Sequence, residues 1–570
     1  MTRFRKTSPF QTYTRDYIHF VTILVFLVSF NAQTVSAQGA GGYVYKQFQN
    51  PVRDRLIHGL FSSNFTWGVA TSAYQIEGAW NEDQRGETIW DTFSHEPGRI
   101  VDNANGDIAC NSYHKIDEDV ALLKELQVKH YRFSIAWSRI LPDGTLNKIN
   151  QAGIVYYRRL INALVEAEIE PVVTLFHWDL PQALQDIGGW SNEILTVYFK
   201  NYAELCFLEY GDWVKRWITF NEPSIFAKAG HEHGVHAPGL KHQGTTVYRV
   251  AHTIIKAHAK VWHTYDNKYR ASQKGQVGIT LVSSWAQPST KWQVDIMAAE
   301  RYLQFEFGWF AHPLMVNGDY PSVMKTQILE KSIGQGLSSS RLPSFTEEEK
   351  VLLRGTVDFL GVNYYTTKLI SAWRSDAWPP GYEEDQDLKA WHDESWPKSG
   401  ASWQKCVPWG FRLLLNWVKH EYGNPPIYVT ETGVAEKLND QDEPKLKDVW
   451  RVQYFVSHIN ELLKAYKLDG VNVQGFSAWT LMDNFEWQDG YSTRFGLYHV
   501  DFKSPARTRT AKSSAKKYNE IVTGNGFPVP VSKLRYIPQF KPDMAFGAAP
   551  RAPMVPVFHD NDEGIQPEFR

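Results

Sequence analysis

Two glutamates stand where apolar runs end, and ionisable groups in that setting are candidates for chemistry. In "WITFNEP", residues 217 to 223, an apolar run passes through Asn221 to Glu222 and is stopped by Pro223. A helix-capping role is the alternative, although Ser, Thr, Asp and Asn cap better than Glu. In "IYVTETG", Glu431 closes a second apolar run just before Thr432 and Gly433. The alternative there is a surface acid at a loop start. Two such glutamates across a pocket lined with tryptophan have the means to hydrolyse a glycosidic bond. One protonates the leaving oxygen, while the other attacks or activates water.

The elements that must position this pair recur along the chain. "HKIDEDVALLKELQV" places Ile116, Val120, Leu123 and Leu126 on one helical face, and "HYRFSIAW" follows as a strand. The same helix–strand unit reads from "YYRRLINALVEAEI" to "EPVVTLFHW", from "YAELCFLEYG" to "VKRWITFNEP", and from "GFRLLLNWVKHEYG" to "PPIYVTETG". "FTWGVATS", "QVGITLVSSW", "VDFLGVNYY" and "VNVQGFSAW" complete a set of eight strands. Alternating β and α elements imply a parallel sheet, and eight of them suggest an α/β fold closed as a (β/α)8 TIM barrel. A doubly wound open sheet is the runner-up, but no glycine-rich phosphate loop follows the first strand. The strand ends gather polar and aromatic residues: Gln75, Trp137, His177-Trp178, Asn221-Glu222, Trp285, Asn363-Tyr364-Tyr365, Glu431 and Trp479. A closed barrel brings those ends to one face, where enzymes of this fold build their sites.

On these motifs the sequence resembles glycoside hydrolase family one, the β-glucosidase and lactase-phlorizin hydrolase family with its lactase-like proteins. "FTWGVATSAYQIEGAW", "HYRFSIAWSRILP", "TLFHWDLP", "TFNEP", "FLGVNYY", "YVTETG" and "SAWTLMDNFEW" occur in order across residues 61 to 527. The resemblance implies a single catalytic barrel domain and retaining hydrolysis of β-glycosides, with Glu222 as acid/base and Glu431 as nucleophile. It carries sugar-binding roles to Gln75, His177, Asn221, Asn363, Tyr365, Trp479, Glu486 and Trp487. Trp403, before "VPWG", matches the aglycone platform. Arg132 is expected beside the nucleophile, keeping Glu431 ionised, with Tyr365 donating to the same carboxylate. Trp137 reads better as barrel packing. Where the family usually has Asn after the nucleophile this chain has Thr432, which puts the local geometry in question. The implied substrate is a small-molecule β-glycoside or oligosaccharide, with no cofactor and no metal.

Bulk properties narrow the alternatives. The 60 Lys and Arg balance 62 Asp and Glu, so no global field argues for nucleic acid or an anionic membrane. The 22 tryptophans suit stacking against sugar C–H faces as well as core packing. Cys110, Cys206 and Cys406 lack zinc or disulfide-framework spacing and allow one bridge at most. "HEHGVHAPGLKH", with His231, His233, His236 and His242, reads as a polar loop rather than a metal site. Residues 1–37 read as a signal peptide, with "IHFVTILVFLVSF" as its apolar core and a cut near Ala37, so the mature chain is expected outside the cell. An uncleaved anchor is the alternative. Residues 38–60 form an N-terminal extension, and 528–570 a Pro-rich, irregular tail. Asn64-Phe65-Thr66 is a glycosylation acceptor pattern. Two rival functions share the resemblance. A pseudoenzyme would have lost a catalytic glutamate, and a plant-type thioglucosidase would carry Gln at position 222.

Overall fold

The computed structural model describes residues 55–528 except 243, 376 and 439–442, together with 557–559 and 566–568. Eight parallel strands close a barrel: β1 (Thr66–Ala70), β2 (His130–Ser134), β3 (Glu170–Phe176), β4 (Arg216–Asn221), β5 (Gln276–Val282), β6 (Leu360–Asn363), β7 (Ile427–Glu431) and β8 (Val473–Trp479). Each pairs with its neighbours in chain order, and β8 returns to β1 with Trp479 opposite Ala70. The strands are buried along almost their whole length, as for β2 and β4, because helices cover their outer faces. All eight strand segments read from the sequence form the barrel.

The covering helices follow from periodicity and end charges. In α1 (Ile116–Leu126), Ile116, Val120, Leu123 and Leu126 are buried, acids fill the first turn and Lys124 sits in the last. That distribution complements the helix dipole. The helices α2 (Gln151–Glu166), α3 (Leu195–Tyr210), α4 (Pro223–His231), α5 (Thr246–Lys268), α6 (Pro408–Glu421), α7 (Val449–Lys467) and α8 (Ser513–Thr523) bury apolar faces in the same way. Inside the barrel, His130 bridges Thr66 Oγ1 at 2.9 Å and Ser477 Oγ at 2.7 Å. A Cβ on Gly68 would lie 2.2 Å from that imidazole, so glycine in the first strand makes room for it.

Several details differ from the sequence reading. The fifth strand stops at Val282, and Trp285 opens a separate strand, Trp285–Pro288, in a three-stranded sheet with Thr367–Ala372 and Leu388–Trp391. Trp285 is buried and lies outside the pocket lining. The loop after β5 turns away from the barrel there, which a continuous apolar run does not reveal. Trp137 begins a short helix and stacks on Tyr202 at 4.8 Å, the packing role expected of it. Gly59–Leu60 pairs antiparallel with Gly526–Phe527, so the barrel domain begins before Phe61. Cys110, Cys206 and Cys406 are free and buried. Among the described residues no helix is long and apolar enough to cross a membrane. The expected signal peptide lies outside the described residues, as does most of the tail. Within that tail, Val557–His559 pairs antiparallel with Gln566–Glu568 in a unit separate from Val52–Pro553, a departure from the irregular reading at those positions.

Candidate active site

Glu431 is the last residue of β7, and its backbone position follows directly from the strand. Glu222 lies one residue past β4 in a left-handed conformation, with φ 45°. Its side chain makes no bond to the N-terminus of α4, where Pro223 occupies the first turn, so the capping alternative fails. Its N–H donates instead to Thr280 O of β5 at 3.0 Å. A left-handed glutamate costs on the order of 1 kcal/mol or more, and such strain collects at functional sites. Both carboxylates are buried.

One network joins them. Arg132 Nη1 donates to Glu431 Oε1 at 2.6 Å, and its Nη2 donates to Asn221 Oδ1 at 2.7 Å. Tyr365 OH donates to the other oxygen of Glu431 at 2.8 Å. Asn363 Nδ2 donates to Glu222 at 2.6 Å, while its Oδ1 accepts from Thr430 Oγ1 at 2.6 Å. Asn221 Nδ2 donates to His177 Nε2 at 3.1 Å. The proton of His177 is then on Nδ1, which is buried and unpartnered among the described residues. Burial, with Arg132 nearby, holds that imidazole well below its usual pKa and therefore neutral.

The two glutamates are unequal. Burial, followed by the charge of Glu431, pushes the Glu222 carboxyl up to about 8. Burial also raises Glu431, but Arg132 and the Tyr365 hydroxyl oppose that rise. The pair therefore favours a protonated Glu222 facing an ionised Glu431.

Around them lies a pocket of about 370 Å³. His177, Trp178, Trp479, Glu486 and Trp487 line it, as do Tyr365 and Trp403. His177 stacks on Trp479 at 6.0 Å and on Trp487 at 5.9 Å. Burial, then the charges of Asp489, Glu431 and Glu222, push the Glu486 carboxyl well above its usual range. Trp403 is 41% exposed at the mouth, its ring 5.5 Å from Tyr365. Of the residues expected in the site, Arg132, Asn363 and Gln75 sit behind the lining. Gln75 is fully buried, with Nε2 donating to Asn484 Oδ1 and Phe485 O, and Oε1 accepting from Ser72.

Other lining residues had been given no individual role, although Trp178 was expected among the strand ends. Trp178 donates through Nε1 to Asn221 O at 2.9 Å and packs on Trp487 at 4.6 Å. His236, read as part of a polar loop, is pressed between Trp90 and Trp178 at 5.4 Å from each. Lys228 lines the mouth, and its spacing was a usable signal: Glu222, just before α4, and Ile225 and Lys228 on it recur every three residues, and all three line the pocket. Thr432, the departure from the family pattern, points away from the pocket and shares a 2.8 Å hydrogen bond with Tyr454 OH of α7.

A closed parallel barrel presenting two buried glutamates and a tryptophan-walled pocket at its strand ends has the architecture of a glycoside hydrolase. The chain belongs to Glycosyl hydrolase family 1, whose model matches residues 57–527. It is 52% identical over 479 residues to lactase/phlorizin hydrolase of Homo sapiens, covering 84% of this chain and 24% of that protein. The chain thus spans about a quarter of that relative's length. It is 46% identical over 472 residues to cytosolic beta-glucosidase of Cavia porcellus, covering 82% of this chain and 99% of the relative. The structure of aphid myrosinase matches with a TM-score of 0.78 at 42% identity, covering 82% of this chain and 100% of that one.

Proposed function

We propose that this chain is a retaining β-glycosidase that hydrolyses terminal β-D-glucosides, with side activity on β-fucosides and β-galactosides. The observation that carries this reading is the asymmetry of the pair: Glu431 is held by Arg132 and Tyr365, while Glu222 is raised and faces it. In the first step a Glu431 oxygen attacks the anomeric carbon, and the bond to the leaving oxygen breaks as Glu222 gives that oxygen its proton. Consumption of the Glu431 charge removes the second cause of the raised Glu222 pKa, after burial, and so lowers it. Glu222 then takes a proton from water, whose oxygen displaces Glu431 and returns the sugar with its configuration retained. His177, Asn221, Glu486, Trp479 and Trp487 bind the glycone in this reading. Gln75, Asn363, Arg132 and Tyr365 support it, and Trp403 receives the aglycone.

Both glutamates are present and engaged, which favours an enzyme over a pseudoenzyme. Glu222 weighs against a plant-type thioglucosidase, although the likeness to aphid myrosinase keeps thioglucosides worth assaying. Secretion belongs to the same proposal and is supported by the basic–apolar–small N-terminal pattern and by an exposed Asn64 in its acceptor triplet. N-terminal sequencing of protein recovered from the medium checks that part.

The decisive experiment is a trap. A 2-deoxy-2-fluoro glucoside with a good leaving group should form a stable glycosyl-enzyme, and peptide mapping should find the label on Glu431. Label on another carboxylate, or an inverted first product by NMR, would refute the reading.

A further inference from the structure

The outer wall of the pocket carries charge that the double displacement does not use. Lys228 reaches both oxygens of Glu306, at 2.6 and 2.5 Å, and both side chains are largely buried. Glu383, whose charge also acts on Lys228 and on the buried Tyr302, is engaged by His233 at 3.0 Å. Lys368 differs. It lies half-buried on the strand Thr367–Ala372 and lines the pocket, and among the described residues its ammonium makes no ion pair and no hydrogen bond. The ammonium lies 5.7 Å from the centroid of the Tyr302 ring. His392 beside it accepts no proton readily, because burial and then the Lys368 charge lower its pKa. The remaining pocket carboxyls, Glu222, Glu431, Glu486 and Asp489, stand at or after the ends of barrel strands β4, β7 and β8. An ammonium in a concave wall, with nearby acids already paired, is complementary to an anion arriving with the ligand.

We propose that the leaving-group side of this pocket selects aglycones carrying an anionic oxygen group, a carboxylate or a sulfate, and that Lys368 is the residue that receives it. The inference rests on the glycosidase reading, which fixes the side beyond Glu222 as the place of the leaving group. Lys228, already neutralised by Glu306, contributes a dipolar pair at the same mouth and leaves the unpaired charge to Lys368.

The test uses two nearly isosteric substrates, para-carboxyphenyl and para-carbamoylphenyl β-D-glucoside, with the full-length protein. Taking the ratio of their kcat/KM values, and comparing it between wild type and Lys368→Gln, cancels the difference in leaving-group ability. The ratio should fall about ten-fold in Lys368→Gln, recover in Lys368→Arg, and shrink with added salt in the wild type. A sulfatophenyl glucoside in place of the carboxylate distinguishes the two anions. An unchanged ratio in Lys368→Gln overturns the proposal. If neither substrate is hydrolysed, the glycosidase reading fails separately. Calorimetry with para-carboxyphenyl thio-β-D-glucoside then decides: about ten-fold weaker binding by Lys368→Gln supports the site, whereas equal binding, or none by the wild type, overturns it.

Discussion

At and just inside the barrel strand ends, Arg132, Asn221, Asn363 and Tyr365 are tied to the two glutamates and to one another by hydrogen bonds of 2.6 to 3.3 Å. The mouth is built from α4 and from chain excursions beyond β5 and β6. It holds the Lys228–Glu306 pair, the half-buried Lys368 and the exposed Trp403. The inner half spends its donors on fixing carboxylates before any substrate arrives, which is where preorganisation lowers a barrier. The mouth presents faces and charges that are not yet satisfied. Substitutions inside should therefore hurt all glycosides through kcat, and substitutions outside should sort them by aglycone.

The largest effect expected of that contrast belongs to Glu222. Glu222→Gln should lower kcat on alkyl glucosides about 10³-fold, while the glycosylation step for dinitrophenyl glucosides, which need little protonation, stays within about ten-fold. Pre-steady-state kinetics separates the two steps, and equal loss on both substrates would count against the acid role. The wild-type profile of kcat/KM should have an alkaline limb near pH 8, which Glu222→Gln removes. Stability carries the same signature. A carboxyl raised in the folded state keeps its proton there while the unfolded chain releases it. The stability it contributes is therefore present at acid pH and lost as pH rises through about 8. Glu222→Gln should accordingly raise Tm more at alkaline than at acid pH.

Glu486 comes next. Its carboxyl opens on the pocket with Asp489, Glu431 and Glu222 as its electrostatic neighbours. Glu486→Ala should cost about 10²-fold in kcat/KM on glucosides, with little change in Tm, if its contacts tighten as the ring flattens towards the oxocarbenium ion. A 6-phosphate would bring further negative charge into a wall where Glu431 is ionised and its neighbours already push the Glu486 carboxyl up. Such a glucoside should be rejected, and steady-state kinetics on that substrate checks the sign. A preference for the phosphorylated sugar would break the reading of the inner half.

Trp403 tests the other side of the contrast. Its face is solvent-exposed and rests near Tyr365 and Phe495, so Trp403→Ala should cost only about five-fold in kcat/KM on aryl glucosides. Methyl β-glucoside, with almost no aglycone, should be affected less. Equal losses on both would mean that the tryptophan supports the inner network instead.

The barrel and its inner half were legible in the sequence for physical reasons. Strands buried on both sides read as apolar runs, and the end of each run marks where a side chain changes task. Glu222, Glu431, His177 and Asn221 all stand at such ends. Their roles came from family resemblance, since periodicity says nothing about which acid holds the proton. Lys368 left no comparable trace: it lies in an excursion whose path is set by pairing with Trp285–Pro288, far away in the chain. His236 was hidden for a related reason, because its burial depends on Trp90 and Trp178 closing over a loop that reads as polar. Gln75 was expected to bind the sugar; its amide sits behind the lining, bonded to Asn484, Phe485 and Ser72, and also acts on the Glu486 carboxyl that opens on the pocket. Composition cannot reveal a commitment of that kind.

Thr432 bears the smallest predicted effect and draws the line between the halves most finely. From the sequence, losing the amide usual after the nucleophile suggested a shift at the active site. In the structure the Thr432 hydroxyl is turned outward to Tyr454, whose ring stacks on His458 at 3.7 Å, and Thr432 O accepts the Trp479 N–H at 2.9 Å. The side chain thus anchors β7 to α7, while the backbone carries the link to β8. Thr432→Val keeps the shape and the backbone link but strands one buried hydroxyl, at a cost of about 1–2 kcal/mol. Tm should fall by a few degrees, and kcat/KM on glucosides should stay within about three-fold of wild type. A loss of kcat much larger than the change in Tm suggests would mean that Glu431 depends on this hydroxyl for its position, and that the network of the inner half extends one layer further into the helices than its hydrogen bonds indicate.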